Sequence, residues 1–124
     1  MNVVDSSGWL EYFGQGSNGE FFAPVIRASA QLVVPTISMY EVYKRISLQR
    51  DEEEALSAIA WMTVGLVADL TQEIALTAAD LSVEHQLPMA DSIILATARA
   101  HNATLWTQDE HFKDLPDVKY VEKK

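Results

Sequence analysis

The stretch "PMADSIILATARAHNATLWTQDEHF", residues 88–112, joins an apolar helix pattern to a short strand pattern. Pro88 suits the first turn of a helix, because its fixed backbone angle is already helical. After Ser92 the helix is apolar on nearly every side, which is typical of a helix buried in a domain or at an interface. Leu105 and Trp106 then form a strand that leads into a polar cluster. This stretch indicates a fold in which helices pack on a sheet.

The rest of the chain repeats the alternation of short apolar runs and longer helical patterns. Further strands are predicted near residues 2–4, 32–34, 64–67 and 118–121. Further helices are predicted near 6–13, 20–29, from Ser38, after the acidic run 51–54, and over 71–86. Strands that alternate with helices indicate a parallel sheet covered on both faces. We therefore predict a single domain over residues 1–124, a three-layer α/β/α sandwich with a central, mainly parallel sheet.

Length and composition agree with one globular domain. A chain of 124 residues that is 48% hydrophobic buries roughly two-thirds of its unfolded surface. No basic segment leads into a long apolar one at the start, and no apolar stretch reaches the roughly 20 residues that cross a bilayer. We expect a cytoplasmic protein with no membrane contact. The absence of cysteine excludes disulfides and thiolate chemistry.

The charge balance limits the kinds of partner. Eighteen acidic and nine basic residues give a formal net charge of −9, which opposes the usual electrostatic footprint of a nucleic-acid-binding protein. Some of the acids could hold metal cations, whose charge inverts the local field. The alternative is that the acids are solvated surface charge.

Four acids fall where open parallel sheets gather functional groups, outside the carboxyl ends of the strands. Asp5 ends the first strand, and Asp109 follows the strand that contains Trp106. Glu41 and Asp91 fall in the first turns of predicted helices, which begin at that same edge. The fold therefore allows four carboxylates from four chain segments to converge.

Each acid also has an ordinary explanation. Asp5 and Asp109 can cap the helical turns that follow them. Ser38 and Glu41 match the S-x-x-E capping box, and Asp91 lies in a first turn where the helix dipole favours negative charge. The two interpretations are open at this point.

Convergence would have an electrostatic consequence. Carboxylates within several ångströms of one another raise some of their pKa values or move apart, and a bound divalent cation removes the conflict. Oxygen ligands suit Mg²⁺ or Mn²⁺, which can activate water for phosphodiester hydrolysis.

Four segments appear in the order found in one protein family. They are "VVDSSGWLEYF" (3–13), "TISMYEVYKR" (36–45), "LPMADSIILATA" (87–98) and "TLWTQDEHF" (104–112). The chain resembles the PIN domain, and particularly the VapC-like toxin ribonucleases of bacterial and archaeal toxin–antitoxin modules. The resemblance runs from residue 2 to about 121.

The resemblance implies an acidic quartet that binds Mg²⁺ or Mn²⁺, formed by Asp5, Glu41, Asp91 and Asp109. It implies that Ser6 and Thr107 are small hydroxyl residues that support the carboxylates and bound water. The implied activity is metal-dependent endonucleolytic cleavage of RNA by activated water, with no covalent enzyme intermediate. The implied partners are an RNA substrate, an inhibitory cognate antitoxin and commonly a second copy of the chain.

Three more residues are weaker candidates. Lys44 and Arg45 follow Glu41 on its helix and could meet RNA phosphates, and the alternative is a solvated helix face. His111 could contact RNA or share a proton, although an ordinary surface histidine is the favoured interpretation.

Two alternative functions remain. A receiver-like signalling domain also binds Mg²⁺ at strand ends, but it would show an adjacent acidic pair after the first strand and a late lysine. Here Ser6 and Ser7 follow Asp5, and residues 107–110 contain no lysine. The second alternative is a PIN-like module that binds RNA or protein without cutting it.

Overall fold

The computed structural model describes residues 1–124 and contains five strands and six α-helices. The strands are β1 (Asn2–Val4), β2 (Leu32–Pro35), β3 (Leu66–Ala68), β4 (Thr104–Thr107) and β5 (Val118–Tyr120). The helices are α1 (Ser6–Phe13), α2 (Gly19–Arg27), α3 (Thr36–Gln49), α4 (Glu52–Met62), α5 (Gln72–His85) and α6 (Met89–Ala100). Two 3₁₀ turns span Ser29–Gln31 and Glu110–Phe112. The predicted α/β class is confirmed.

All strand pairs are parallel, and the strand order is β3-β2-β1-β4-β5. The chain runs outward from the central β1 to β3 and then crosses to the other side of β1 at β4. The sheet therefore has its topological switch point between β1 and β4, where such sheets bind ligands. The order differs from the 2-1-3-4-5 order of receiver domains, which removes the receiver-like alternative.

The sheet separates two apolar cores. On one face Val3, Val33 and Leu105 pack with residues of α5 and α6. On the other face Val4 and Val34 pack with residues of helices α1 to α4. Strands buried on both faces consist of nearly continuous apolar residues, as the sequence shows.

Helix α6 is buried as predicted. Every residue from Ser92 to Ala98 is buried, and the helix contributes five residues to the core of its face. None of the helices has both the length and the apolar character needed to cross a membrane.

The start of α3 differs from the prediction. The helix begins at Thr36, because Pro35 has a φ of −64° that suits both the end of β2 and the entry to the helix. Ser38 is therefore inside the helix, and its buried Oγ has no hydrogen-bond partner. Ser38 and Glu41 therefore do not form a capping box, and this alternative explanation of Glu41 is excluded.

Gly8 lets α1 lie directly against the sheet and α2. A Cβ atom at this position would lie 2.6 Å from both Phe22 Cε1 and Val4 Cγ1. The glycine therefore permits the close approach of α1 to β1, and Asp5 lies between these two elements.

Candidate metal centre

The four predicted acids line one groove at the carboxyl edge of β1 and β4, with a volume of about 670 Å³. Asp5 comes from the end of β1, Glu41 from α3, Asp91 from the first turn of α6, and Asp109 from the segment after β4. Asp5 is only 2% exposed, whereas the other three are open to the groove. The structure thus brings together residues that are up to 104 positions apart in the sequence, since 109 − 5 = 104.

Hydrogen bonds fix the orientation of the Asp5 carboxylate. Its Oδ1 accepts the Gly8 N–H at 2.9 Å and the Ser7 hydroxyl at 2.8 Å. Its Oδ2 accepts the Thr107 hydroxyl at 2.7 Å. Asp5 therefore caps α1 and lines the groove at the same time, so its role as a cap does not exclude a role in the groove.

The Thr107 hydroxyl connects two of the acids. Thr107 is completely buried, and its Oγ1 donates to Asp5 and accepts the Asp109 N–H at 2.9 Å. Asp109 in turn caps the Glu110–Phe112 turn, because its Oδ1 accepts the His111 N–H at 2.9 Å. One hydroxyl thereby fixes the carboxylate of Asp5 relative to the backbone of Asp109.

The Ser6 hydroxyl supports a different acid. Ser6 Oγ donates to Glu41 Oε1 at 2.6 Å, and this bond joins α1 to α3. The sequence placed Ser6 beside Asp5, but its hydroxyl acts on Glu41. Glu41 reaches this partner because it lies in the second turn of α3 rather than at the helix start.

Burial, and to a lesser extent the neighbouring acids, raises the pKa values of two of the four carboxyl groups. Burial raises the pKa of Asp5 to about 6, although hydrogen bonds from Thr107, Gly8 and Ser7 partly oppose this. Burial and the nearby charge of Asp109 raise the pKa of Asp91 to about 7. These directions are those expected when carboxylates converge without a cation.

The raised pKa values predict that the metal-free protein is less stable at pH 7.5 than at pH 5. The folded state binds the Asp5 proton more tightly than the unfolded chain does. That stabilisation is fully present below about pH 4 and is lost as the pH rises through about 6. For Asp5 the full effect is on the order of 3 kcal/mol.

Thermal unfolding measures this effect. We expect the Tm in the presence of a chelator to fall by several degrees between pH 5 and pH 7.5. Mn²⁺ should raise the Tm more at pH 7.5, where it does not have to displace protons. The Asp5→Asn variant should show a weaker pH dependence, and an unchanged pH dependence would contradict the assignment.

His111 contacts two of the acids, which the sequence interpretation did not foresee. Its side chain is 53% exposed, so it is a surface histidine as predicted, but its Nδ1 lies 2.9 Å from both Asp91 Oδ2 and Asp109 Oδ1. Slight burial lowers the pKa of His111, and the charges and hydrogen bonds of Asp109 and Asp91 outweigh it and raise the pKa. The sequence feature that could have indicated this contact is the position of His111 two residues after Asp109, within the turn that Asp109 caps.

A second feature absent from the sequence interpretation is a buried polar network behind Asp109. Asn18 Nδ2 donates to Gln108 Oε1 at 2.9 Å, and the Asn18 N–H donates to Glu11 Oε2 at 2.7 Å. Asn18 and Gln108 are both only 3% exposed. The network ties the segment after β4 to the loop between α1 and α2 and so helps to fix Asp109.

Basic side chains lie on the rim of the groove. Lys44, Arg45 and Lys123 line it, yet none of them forms an ion pair with the four acids. Tyr40 is 60% exposed on the same rim, and Lys44 Nζ lies 5.7 Å from its ring centroid. The rim therefore presents positive charge around an acidic floor.

The donor set suits a divalent cation. Hard cations prefer carboxylate oxygens, and ligand atoms of Asp91, Asp109 and His111 lie within 4.8 Å of one another. The lysines and arginine that line the groove form no ion pair with the four acids, and the basic side chain in contact with them is His111. The raised pKa values of Asp5 and Asp91 show that their ionised forms are unfavourable in the protein without a cation. A bound cation would stabilise the ionised forms.

Comparisons with known proteins agree with this architecture. Residues 3–118 match the family model described as PIN domain. A toxin–antitoxin complex from Klebsiella pneumoniae has a TM-score of 0.82 at 22% identity, over 99% of this chain and 100% of that chain. VapBC2 from Rickettsia felis, bound to a promoter DNA fragment, has a TM-score of 0.75 at 15% identity, over 99% and 98% of the two chains.

The Mycobacterium tuberculosis toxin VapC20, which cleaves the sarcin–ricin loop, has a TM-score of 0.74 at 16% identity. That similarity covers 90% of this chain and 92% of the other. No curated protein sequence matches the chain. At these identities the structural similarity concerns the fold.

Proposed function

The chain belongs to the PIN domain family, and on that premise we propose that it is a metal-dependent endoribonuclease and the toxin of a toxin–antitoxin pair. The observation that carries the proposal is the convergence of four carboxylates in one groove at the switch point of the sheet. Two of the structurally similar proteins are named as a toxin–antitoxin complex and as a sarcin–ricin loop cleaving toxin, which supports the choice of RNA and of an antitoxin partner.

The proposed ligands are Asp5, Glu41, Asp91 and Asp109. Mg²⁺ or Mn²⁺ bound there would supply an activated water and positive charge beside the scissile phosphate. Asp5 and Glu41 would keep fixed orientations, because Thr107, Ser7 and Ser6 donate hydrogen bonds to them. The hydroxyls of Ser6 and Ser7 are committed to these carboxylates, and the chain has no cysteine, so water is the proposed nucleophile.

The basic rim is the proposed contact for RNA phosphates. Lys44 and Arg45 lie one turn after Glu41 on α3 and line the same groove as the acids. RNA phosphates bound by them would therefore lie next to the four carboxylates. The net charge of −9 makes this local positive rim important for binding an anionic substrate.

Replacing both Lys44 and Arg45 with alanine is expected to raise the KM for RNA about tenfold at moderate salt while kcat stays within about threefold. The salt dependence of kcat/KM should also become weaker, because fewer counterions are released. The matched control is Arg99→Ala with Lys119→Ala, which changes the net charge equally at exposed positions outside the groove. Equal effects of the two pairs would contradict a specific phosphate contact.

We also propose two protein partners, a cognate antitoxin and a second copy of the chain. Exposed apolar side chains on α4, β3 and α5 support them, among which are Trp61, Leu66 and Leu76. A groove beside α1, α3 and α4 is partly apolar, with Leu10, Phe13, Ile46, Ala58 and Trp61 in its lining. Apolar residues grouped on a surface mark protein contacts more often than single exposed ones do.

The proposal is tested by incubating antitoxin-free protein with RNA in Mg²⁺, in Mn²⁺ and in chelator. A panel of structured RNAs should include a sarcin–ricin loop. We expect internal cleavage only with a metal, restored when the metal is returned after chelation. Cleavage in chelator would refute the mechanism, and RNA binding without any cleavage across the panel would favour the non-catalytic PIN-like module.

A further inference from the structure

His111 has a fixed place beside the acidic groove. Phe112, the next residue, is fully buried in the core under α5 and α6 and anchors the Glu110–Phe112 turn. Asp109 holds the same turn through the His111 N–H. The backbone of His111 is thereby held beside the groove, and its imidazole, although 53% exposed, contacts Asp91 and Asp109.

The distances around His111 match those between neighbouring ligands of one ion. Its Nδ1 lies 2.9 Å from an oxygen of Asp91 and 2.9 Å from an oxygen of Asp109. Adjacent ligands of an octahedral divalent ion are about 3 Å apart, because metal–ligand distances are about 2.0–2.1 Å. Both distances from the imidazole nitrogen therefore match this spacing, and all three donor atoms lie within 4.8 Å of one another.

We propose that His111 Nδ1 is a nitrogen ligand of the metal centre and makes the site select a first-row transition ion such as Mn²⁺ over Mg²⁺. Mg²⁺ prefers oxygen ligands and keeps its waters, whereas imidazole binds transition ions more strongly. This inference rests on the proposed function, because it concerns the same metal centre. The inference adds His111 to the four proposed carboxylate ligands. It also predicts a preference for Mn²⁺ over Mg²⁺, which four carboxylates alone would not produce.

In the alternative role, His111 competes with the cation for the two carboxylates. A positively charged imidazole between Asp91 and Asp109 would occupy the position of the cation and leave when the cation binds. The two roles predict opposite effects of removing the side chain. Loss of a ligand weakens Mn²⁺ binding, whereas loss of a competing positive charge strengthens the binding of both Mn²⁺ and Mg²⁺.

Isothermal titration calorimetry with Mn²⁺ and with Mg²⁺ at pH 8 separates these roles. We expect wild-type protein to bind Mn²⁺ at least about tenfold more tightly than Mg²⁺. His111→Ala should weaken Mn²⁺ binding about tenfold or more and Mg²⁺ binding by less than about threefold. His85→Ala is the matched control, because His85 lies in the last turn of α5, away from the groove, and its loss should change neither affinity.

Pulsed electron paramagnetic resonance of bound Mn²⁺ provides a direct readout of the nitrogen ligand. We expect ¹⁴N modulation from the ion in wild-type protein and in His85→Ala, and none in His111→Ala or His111→Gln. Mn²⁺ binding without ¹⁴N modulation, or tighter binding of both ions in His111→Ala, would overturn the role of His111 and leave the proposed nuclease standing. Failure of wild-type protein to bind either ion would instead overturn the metal centre itself.

Discussion

Replacing Asp91 with asparagine is expected to reduce metal-dependent RNA cleavage by at least about 100-fold without destabilising the protein. Asp91 lies at the start of α6 and faces the other acids across the groove. Asparagine keeps the size of the side chain and one oxygen, but it lacks the charge that holds a divalent cation. Substituting an outer residue of a metal site costs about 10–100-fold, and a direct ligand should cost at least as much.

The stability of Asp91→Asn distinguishes a lost ligand from a lost fold. Burial and the charge of Asp109 raise the pKa of Asp91 to about 7, so its ionised form is unfavourable in the metal-free protein. The neutral amide removes that penalty, and the Tm in chelator at pH 7.5 should stay the same or rise. Mn²⁺ should stabilise wild-type protein much more than the variant.

Single-turnover cleavage and thermal unfolding check this prediction. The matched control is Asp80→Asn, which makes the same chemical change at an exposed position on α5 outside the groove. The control should cleave RNA at the wild-type rate. Cleavage by Asp91→Asn within about threefold of wild type would show that Asp91 is not part of the reacting site.

Replacing Thr107 with valine is expected to weaken binding of Mg²⁺ and Mn²⁺ about 10–100-fold, although Thr107 does not line the groove. Its hydroxyl donates to Asp5 and accepts the N–H of Asp109. Valine has nearly the same shape but removes one of the donors to the Asp5 carboxylate, which keeps those from Gly8 and Ser7, and it leaves the Asp109 N–H without its acceptor. Burial raises the pKa of Asp5, and loss of the Thr107 hydrogen bond would raise it further, so metal binding should weaken more at pH 7 than at pH 8.5.

Thr97 offers a matched control for Thr107. Thr97 is also buried, but its hydroxyl donates only to the Ile93 carbonyl within α6. Thr97→Val should leave metal affinity unchanged, and Thr107→Ser should restore most of it because the hydroxyl returns. If calorimetry finds equal metal affinity in wild-type protein and Thr107→Val, the Thr107 hydroxyl does not contribute to metal binding.

Local sequence patterns predicted the parts of this fold that depend on local properties. The apolar runs of β1 and β2 became strands because such residues are buried on both faces of a parallel sheet. The acids at Asp5 and Asp109 could be placed at one edge before the strand order was known, because parallel strands end on the same side. Their capping bonds were also predictable, since a cap requires only residues within one turn.

Contacts between distant residues could not be predicted in the same way. The bond from Ser6 to Glu41 depends on the packing of α1 against α3, and no short pattern encodes it. The S-x-x-E pattern at Ser38 was misleading because Pro35 starts the helix earlier. The approach of His111 to Asp91 depends on how the turn after β4 meets the start of α6. The strand order likewise results from the packing of the whole chain.

The central position of β1 affects when the groove can form during folding. β1 pairs with β4 across about a hundred residues, and the bond from Thr107 to Asp5 closes a loop of 102 positions. Such long-range pairing is slow compared with helix formation, because the entropy of loop closure must be overcome first. A nascent chain that ends before β4 lacks both Thr107 and Asp109, so it cannot assemble the groove. On the ribosome, therefore, the acidic groove is among the last parts of the molecule to become complete.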